Sequence, residues 1–197
     1  MRKKILLILP LLLFAITQQL QAVTCNWGYC NSVVNDQFGS VNKGKGAIYI
    51  PAEISKMYEG KQLSYVRVGL AAKAKTVKVF VTKDLNGEYI TTRTQRDQLS
   101  GFNEIKFAEP WTIDGEGFYI GYEFESDDYA LGASTMYNEN GCWADLGDGW
   151  KNYAVEDHAL ALSIQAKISG DDLPKDYWLF CSNDILAEAG KPFNINF

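Results

Sequence analysis

The residues best suited to chemistry in this chain lie between Tyr137 and Tyr153, where four aromatic rings stand among amides and carboxylates. The run Tyr137-Asn138-Glu139-Asn140-Gly141-Cys142-Trp143-Ala144-Asp145 leads on to Trp150-Lys151-Asn152-Tyr153. Flat ring faces cover the C–H faces of sugars, and neighbouring amides and carboxylates take the sugar hydroxyls. The same residue types dominate the hot spots of protein interfaces. Tyr137, Trp143, Trp150 and Tyr153 are therefore the candidate ligand-binding residues, with an extracellular glycan or a protein as the partner. A competing reading packs Trp143 and Trp150 onto the core with Cys142 nearby, and Trp27 and Trp111 are assigned to the core.

Catalytic chemistry finds less material. The chain holds one histidine, His158, beside Glu156 and Asp157, and it carries no nucleophile-elbow pattern. Glu123 with Glu125, or Asp127 with Asp128, would suit paired-carboxylate hydrolysis only at a separation that sequence does not give. No catalytic residue is assigned, and the chain is not expected to be an enzyme. Asp84-Leu85-Asn86-Gly87-Glu88 opens like a calcium loop but lacks the distal bidentate glutamate. Its Asn-Gly pair, set between two strands, reads as a tight hairpin.

Four cysteines, Cys25, Cys30, Cys142 and Cys181, allow three disulfide pairings. Cys25 with Cys30 closes a short loop, which leaves Cys142 with Cys181 as the accompanying staple. The spacing suits neither a zinc site nor a C-x-x-C redox motif. Disulfides require export, and the N-terminus predicts it. Met1-Arg2-Lys3-Lys4 precedes an apolar run from Ile5 to Ile16, shorter than the roughly 20 residues of a membrane span. Cleavage after Ala22 gives a signal peptide over residues 1–22. An alternative makes Cys25 the acylated residue of a lipoprotein, although Thr24 fits that pattern poorly. No later stretch is apolar enough to cross a bilayer. Losing residues 1–22 removes three basic side chains and no acidic one, moving the formal charge from −5 to about −8. That balance argues against nucleic acid, whose binding is driven by cationic side chains. The destination is the periplasm, the cell surface or the medium.

Those candidate residues need a β scaffold to position them. Val77, Val79 and Val81 alternate with Lys78, Phe80 and Thr82, a period of two in strong β formers. Phe118 to Phe124 repeats the pattern, and Leu160, Leu162, Ile164 and Ile168 share a face of a strand from 160 to 168. Ala47–Ile50, Leu63–Leu70, Tyr89–Arg93 and Asn103–Phe107 complete the predicted set. Turns are signalled at Asn86-Gly87, Ser100-Gly101, Asp114-Gly115 and Gly147-Asp148-Gly149. One short helix begins at Pro51, buries Ile54, Met57 and Tyr58, stops at Gly60 and plugs one end of the fold. The expected class is all-β: an antiparallel, jelly-roll-like sandwich over residues 23–169, with one short helix. Residues 170–197 read as a linker and the start of an incomplete second β unit. That unit either packs back on the sandwich or belongs to a longer multidomain chain.

A framework pattern runs through the sandwich: Ala47-Ile48-Tyr49-Ile50-Pro51, Tyr58-Glu59-Gly60-Lys61-Gln62-Leu63, Val77–Thr82, Leu99-Ser100-Gly101-Phe102-Asn103-Glu104-Ile105, Pro110, Ile113-Asp114-Gly115 and Phe118-Tyr119-Ile120-Gly121-Tyr122. From Trp27 to Ile168 it resembles the jelly-roll modules of secreted and surface proteins of Bacteroidota, of the cleaved-adhesin or choice-of-anchor type. The resemblance implies adhesion or substrate contact, commonly beside proteases or repeat domains. It also implies calcium in the loops, with Asp127, Asp128, Asp145 and Asp148 as candidate ligands. The expected function is a non-catalytic extracellular binding or adhesion module, carbohydrate- or protein-binding. The alternative is an accessory domain of a larger secreted protease or other hydrolase whose catalytic part lies elsewhere.

Overall fold

The computed structural model describes residues 23–154 and 160–173. The export signal, His158 with Glu156 and Asp157, Cys181 and the 174–197 segment lie outside the described residues. No helix among the described residues is long and apolar enough to cross a membrane.

Alternating side chains build two facing antiparallel sheets. The smaller has the order β1 (Val23–Gly28), β13 (Ile164–Gly170), β4 (Gln62–Leu70), β7 (Gly101–Thr112). The larger runs β11 (Trp150–Asn152), β10 (Trp143–Asp145), β3 (Lys43–Ile50), β8 (Phe118–Ser126), β5 (Ala74–Thr82), β6 (Thr91–Gln98). Setting β10 and β11 aside, eight strands fall four to a sheet in the order of two interleaved Greek keys, which is a jelly roll. A minor sheet of β12 (Ala161–Leu162), β9 (Gly132–Ser134) and β2 (Asp36–Gln37) closes one side.

The inward members of each strand make one core: Ile48 and Ile50, Val66 and Val68, Val77, Val79 and Val81, Ile105 and Phe107, and Phe118, Ile120 and Tyr122. Each such side chain removed from water stabilises the fold by roughly 1.5–3 kcal/mol. Tyr122 ties a minor-sheet strand to the smaller main sheet: its hydroxyl donates to Gly69 O and accepts the Gly132 N–H, both at 3.3 Å. Trp27 is buried in this core, and Trp111 packs on its edge against Phe118 at 4.8 Å between ring centroids.

The short helix is present as α1 (Ala52–Ser55) continued by a 3₁₀ turn, Lys56–Tyr58. Pro51 precedes it, and Gly60 ends it at φ +77, donating its N–H to Ile113 O at 2.8 Å. Tyr58 and Ile54 face the core as expected, but Met57 is exposed and Ser55 is buried in its place. The tighter 3₁₀ turn rotates residue 57 away from the face an α-helix would give it.

Three further expectations change. The 160–168 strand breaks at Ser163, whose N–H donates to Gly132 O while Leu162 N–H donates to Gly141 O. The strand predicted over Tyr89–Arg93 begins two residues later and runs to Gln98, because Tyr89 lies over Phe80. The Cys25–Cys30 disulfide is not formed, and both thiols are free. Cys25 sits opposite Ile168 while Gly28 is already opposite Gln165, so five residues of mostly extended chain put roughly 15 Å between the two cysteines. A bridge needs Cα atoms within about 7 Å. Burial raises the Cys25 thiol, which lies beside Tyr58, and Cys30 Sγ donates to Ile164 O at 3.6 Å. Burial pushes the Cys30 thiol up to about 12. Cys142 is buried on the core side, and its expected partner Cys181 lies outside the described residues.

Candidate functional site

The stretch predicted as an aromatic loop turns out to extend the larger sheet. Trp143 pairs with Ala47 and Asn152, and Asp145 pairs with Lys45 and Trp150, so residues 143–152 form the hairpin β10–β11 along β3. Strand alternation then decides the fate of the rings. Cys142 and Ala144 point into the main core, whereas Trp143 and Trp150 point to the opposite face of the sheet.

Registers place three cross-strand rows on that outer face. One reads Trp150, Asp145, Lys45, Glu123, Lys78, Thr94. The next reads Asn152, Trp143, Ala47, Gly121, Phe80, Thr92, and the third holds Tyr49, Tyr119 and Thr82. Small Ala47 and Gly121 form a floor, and the neighbouring rings lie down across it. Phe80 is fully buried although it faces outward, because Tyr89 stacks on it at 4.4 Å and 9° and Trp150 meets it edge-on at 6.2 Å. Trp143 packs edge-on to Tyr119 at 5.6 Å, and Tyr119 tilts against Tyr49 at 4.7 Å. Leu85, held by the Asp84–Gly87 turn, joins the same cluster. The indole N–H groups of Trp143 and Trp150 are buried without an oxygen partner. Edge-to-face packing offers such donors a ring face, the weak N–H···π contact.

Charge on this face comes in pairs. Lys45 Nζ lies 3.4 Å from Asp145, and Lys78 Nζ lies 3.4 Å from Glu123. The Tyr89 hydroxyl donates to Glu123 Oε1 at 2.7 Å. Burial, the hydrogen bond to Glu123 and that carboxylate's charge all raise the Tyr89 pKa, so its hydroxyl stays a donor. Burial works to raise the Asp145 carboxyl, but N–H groups of Gly147 (3.0 Å) and Gly149 (3.1 Å), with Lys45, hold it below its ordinary value. The ammonium groups of Lys78 and Lys45 lie 4.7 Å from the Tyr89 ring and 5.8 Å from the Trp150 ring. The arrangement offers flat apolar faces beside fixed donors and acceptors, which suits binding.

Of the four expected ligand residues, Trp143 and Trp150 come together on this face. Tyr153 lies on the other side, packed with Phe38 at 5.2 Å against the main core. Tyr137 belongs to neither cluster. Residue-by-residue reading missed Tyr49, Tyr119, Phe80, Tyr89, Lys45 and Lys78, and weighed Glu123 only as a hydrolytic carboxylate beside Glu125. Their signal was the outward half of strands already recognised: in Val77–Thr82 the outward set is Lys78, Phe80, Thr82, and a phenylalanine among polar positions marks a second apolar face.

Asp127 and Asp128 share one turn, while Asp145 ends β10 and Asp148 lies in the turn that follows it. Asp127 pairs with Lys75, and Asp128 accepts the Tyr129 N–H at 2.7 Å. Asp148 pairs with Lys151 at 2.8 Å, three residues from Asp145. Among the described residues no three of His, Cys, Asp and Glu gather into a group that could hold a metal ion.

No family model matches this chain. No curated protein matches it either. Among solved structures it is similar to the clostridial cysteine protease Cwp84 after propeptide cleavage, with a TM-score of 0.57 and 9% identity over 74% of this chain. The match spans 40% of the protease chain, well under half its length. At that identity the likeness is one of fold: an antiparallel β-sandwich shared with part of a protease chain.

Proposed function

We propose that this chain is a non-catalytic extracellular module that holds a carbohydrate on the outer aromatic face of its larger sheet. The observation that carries the reading is the placement of Trp143 and Trp150, with Tyr49, Tyr119 and Tyr89, on the face turned away from the main core. A fold needs its large rings inside. A second apolar cluster on the solvent side, rimmed by Lys45, Asp145, Lys78 and Glu123, supplies what a sugar requires: C–H stacking surfaces and hydrogen-bond partners for hydroxyls. Export by the N-terminal signal and the resemblance to surface adhesion modules support the same reading.

Glycan-array binding by residues 23–197 tests it, against Trp143→Ala and Trp150→Ala checked for folding by circular dichroism. Ring stacking is worth about 1–3 kcal/mol per ring by analogy with base stacking, so each variant should lose roughly fivefold or more in affinity. Folded variants that bind as the wild type does remove the reading.

A second reading makes the sandwich an accessory domain of a larger secreted protease or other hydrolase. What favours it is the likeness in fold to part of the Cwp84 protease chain. Sequencing the gene beyond Phe197 tests it; a stop codon there removes it. Calcium held by Asp145 and Asp148 or by Asp127 and Asp128 is proposed as an accessory ligand. Melting with and without chelator should then differ by several degrees, and identical curves remove the ion.

A further inference from the structure

We infer that the ligand of the aromatic face is an unbranched, uncharged polysaccharide that lies across the strands, one pyranose unit per strand, along the Asp145–Lys45–Glu123–Lys78 row. The inference rests on the carbohydrate reading above and specifies its ligand.

Spacing is the first argument. The row places one charged side chain on each of four neighbouring strands, β10, β3, β8 and β5, all on one face. Adjacent strands are roughly 4.8 Å apart. An extended pyranose chain advances by about the same distance per unit, so successive sugars meet successive strands in step. Along the row, acceptor alternates with donor: carboxylate, ammonium, carboxylate, ammonium.

Charge is the second. Each lysine lies 3.4 Å from a carboxylate, so the row has no net charge with which to recruit a uronate or a sulfated sugar. The groups nonetheless keep hydrogen-bonding capacity, since an ammonium has three donors and a carboxylate about four acceptor positions. Their side chains are between 17% and 37% exposed, which leaves them ordered by their partners and still reachable.

Shape is the third. The row runs out at both edges of the sheet, ending in Trp150 on β11 and Thr94 on β6. A chain lying along it continues past both edges, so the face recognises interior units of a polymer. The Trp150 and Tyr89 rings both lean in over Phe80, at 6.2 Å edge-on and 4.4 Å stacked, so the stacking surfaces lie together alongside the row.

Calorimetric titration of residues 23–197 tests this. The probes are linear cello-, xylo-, manno- and laminari-oligosaccharides of two to about eight units, with polygalacturonate as the acidic arm. Each is measured at about 50 mM and about 500 mM NaCl, conditions between which exposed charges go from partly to strongly screened. At least one neutral series should gain roughly tenfold or more in affinity from two to four units, then level off, and change less than twofold with salt. Glu123→Gln, which leaves Lys78 uncompensated, should weaken that series severalfold and strengthen polygalacturonate. Preferential, salt-sensitive binding of polygalacturonate by the wild type overturns this inference and leaves the aromatic-face reading standing. So does an affinity already saturated at two units. Failure of the folded protein to bind any arm overturns both.

Discussion

Gly121→Ala is a one-methyl probe of the outer face. Gly121 lies at the centre of β8, between Ala47 and Phe80 in its cross-strand row. A Cβ there would stand 2.3 Å from Gly46 O, 2.6 Å from Phe80 Cζ and 2.8 Å from Ala47 Cβ. Two of these neighbours are backbone or Cβ atoms that no rotamer change removes. The third is a ring held down by Tyr89 stacked at 4.4 Å and by Trp150 edge-on at 6.2 Å. Overpacking costs about 1–3 kcal/mol, and the lack of escape puts this site in the upper half of that range. For a domain of this size each kcal/mol lowers Tm by about 2–4 °C, so a fall of about 4–12 °C is expected. Urea and thermal melts followed by tryptophan fluorescence read it directly. The double variant Gly121→Ala/Phe80→Leu separates the two sources of strain. Shortening the ring relieves its share, so the double should cost at least about 0.5 kcal/mol less than the sum of the singles. It should still be less stable than Phe80→Leu alone, because Gly46 O remains. A Gly121→Ala protein within about 0.5 kcal/mol of wild type, or an additive double, refutes the picture of rings pressed onto a glycine floor.

Tyr122→Phe removes a fully buried hydroxyl that serves both Gly69 O and the Gly132 N–H at 3.3 Å; stability should fall by about 1–2 kcal/mol, with faster hydrogen exchange at Gly132. The Asp145 carboxyl is held below its ordinary value of 3.8, so its contribution is complete above that value and is lost as pH falls through the folded one. Asp145→Asn should therefore destabilise at pH 7 and match the wild type near pH 2 in parallel urea melts; an equal gap at both pH values refutes the linkage. Cys30 should resist iodoacetamide at pH 8 until urea unfolds the chain, and peptide mass mapping without reductant should find no Cys25–Cys30 link. Rapid native labelling, or that link, overturns the burial argument.

Much of the scaffold was legible because alternation in a strand is a direct record of two faces. Val77, Val79 and Val81 gave the inward edge of β5, and Phe118, Ile120 and Tyr122 that of β8. Gly60, Gly101, Gly115, Gly147 and Gly149 marked turns and all adopt positive φ, where a side chain is strained. Short strands were harder. Trp143–Asp145 and Trp150–Asn152 span three residues each, too few for a periodic signal, and their run of Asn, Gly and Asp reads as loop. Only pairing with β3 makes them strands. The disulfide expectation failed for a related reason: five residues is a short loop on paper, but in extended chain it is a long distance.

By itself the sequence determined the β class, the positions of most long strands and turns, the short helix and the richness in aromatic and carboxylate groups around residues 137–153. Periodicity and turn chemistry are local, so they survive in one dimension. Which face each ring takes was decided by tertiary structure. One-residue alternation along β10 sends Cys142 inward and Trp143 outward, and the registers of five neighbouring strands carry Trp150, Trp143, Tyr119 and Phe80 onto a common surface with Lys45 and Glu123. Those residues lie up to 105 positions apart in the chain, from Lys45 to Trp150, and only hydrogen-bonded pairing between strands sets them side by side.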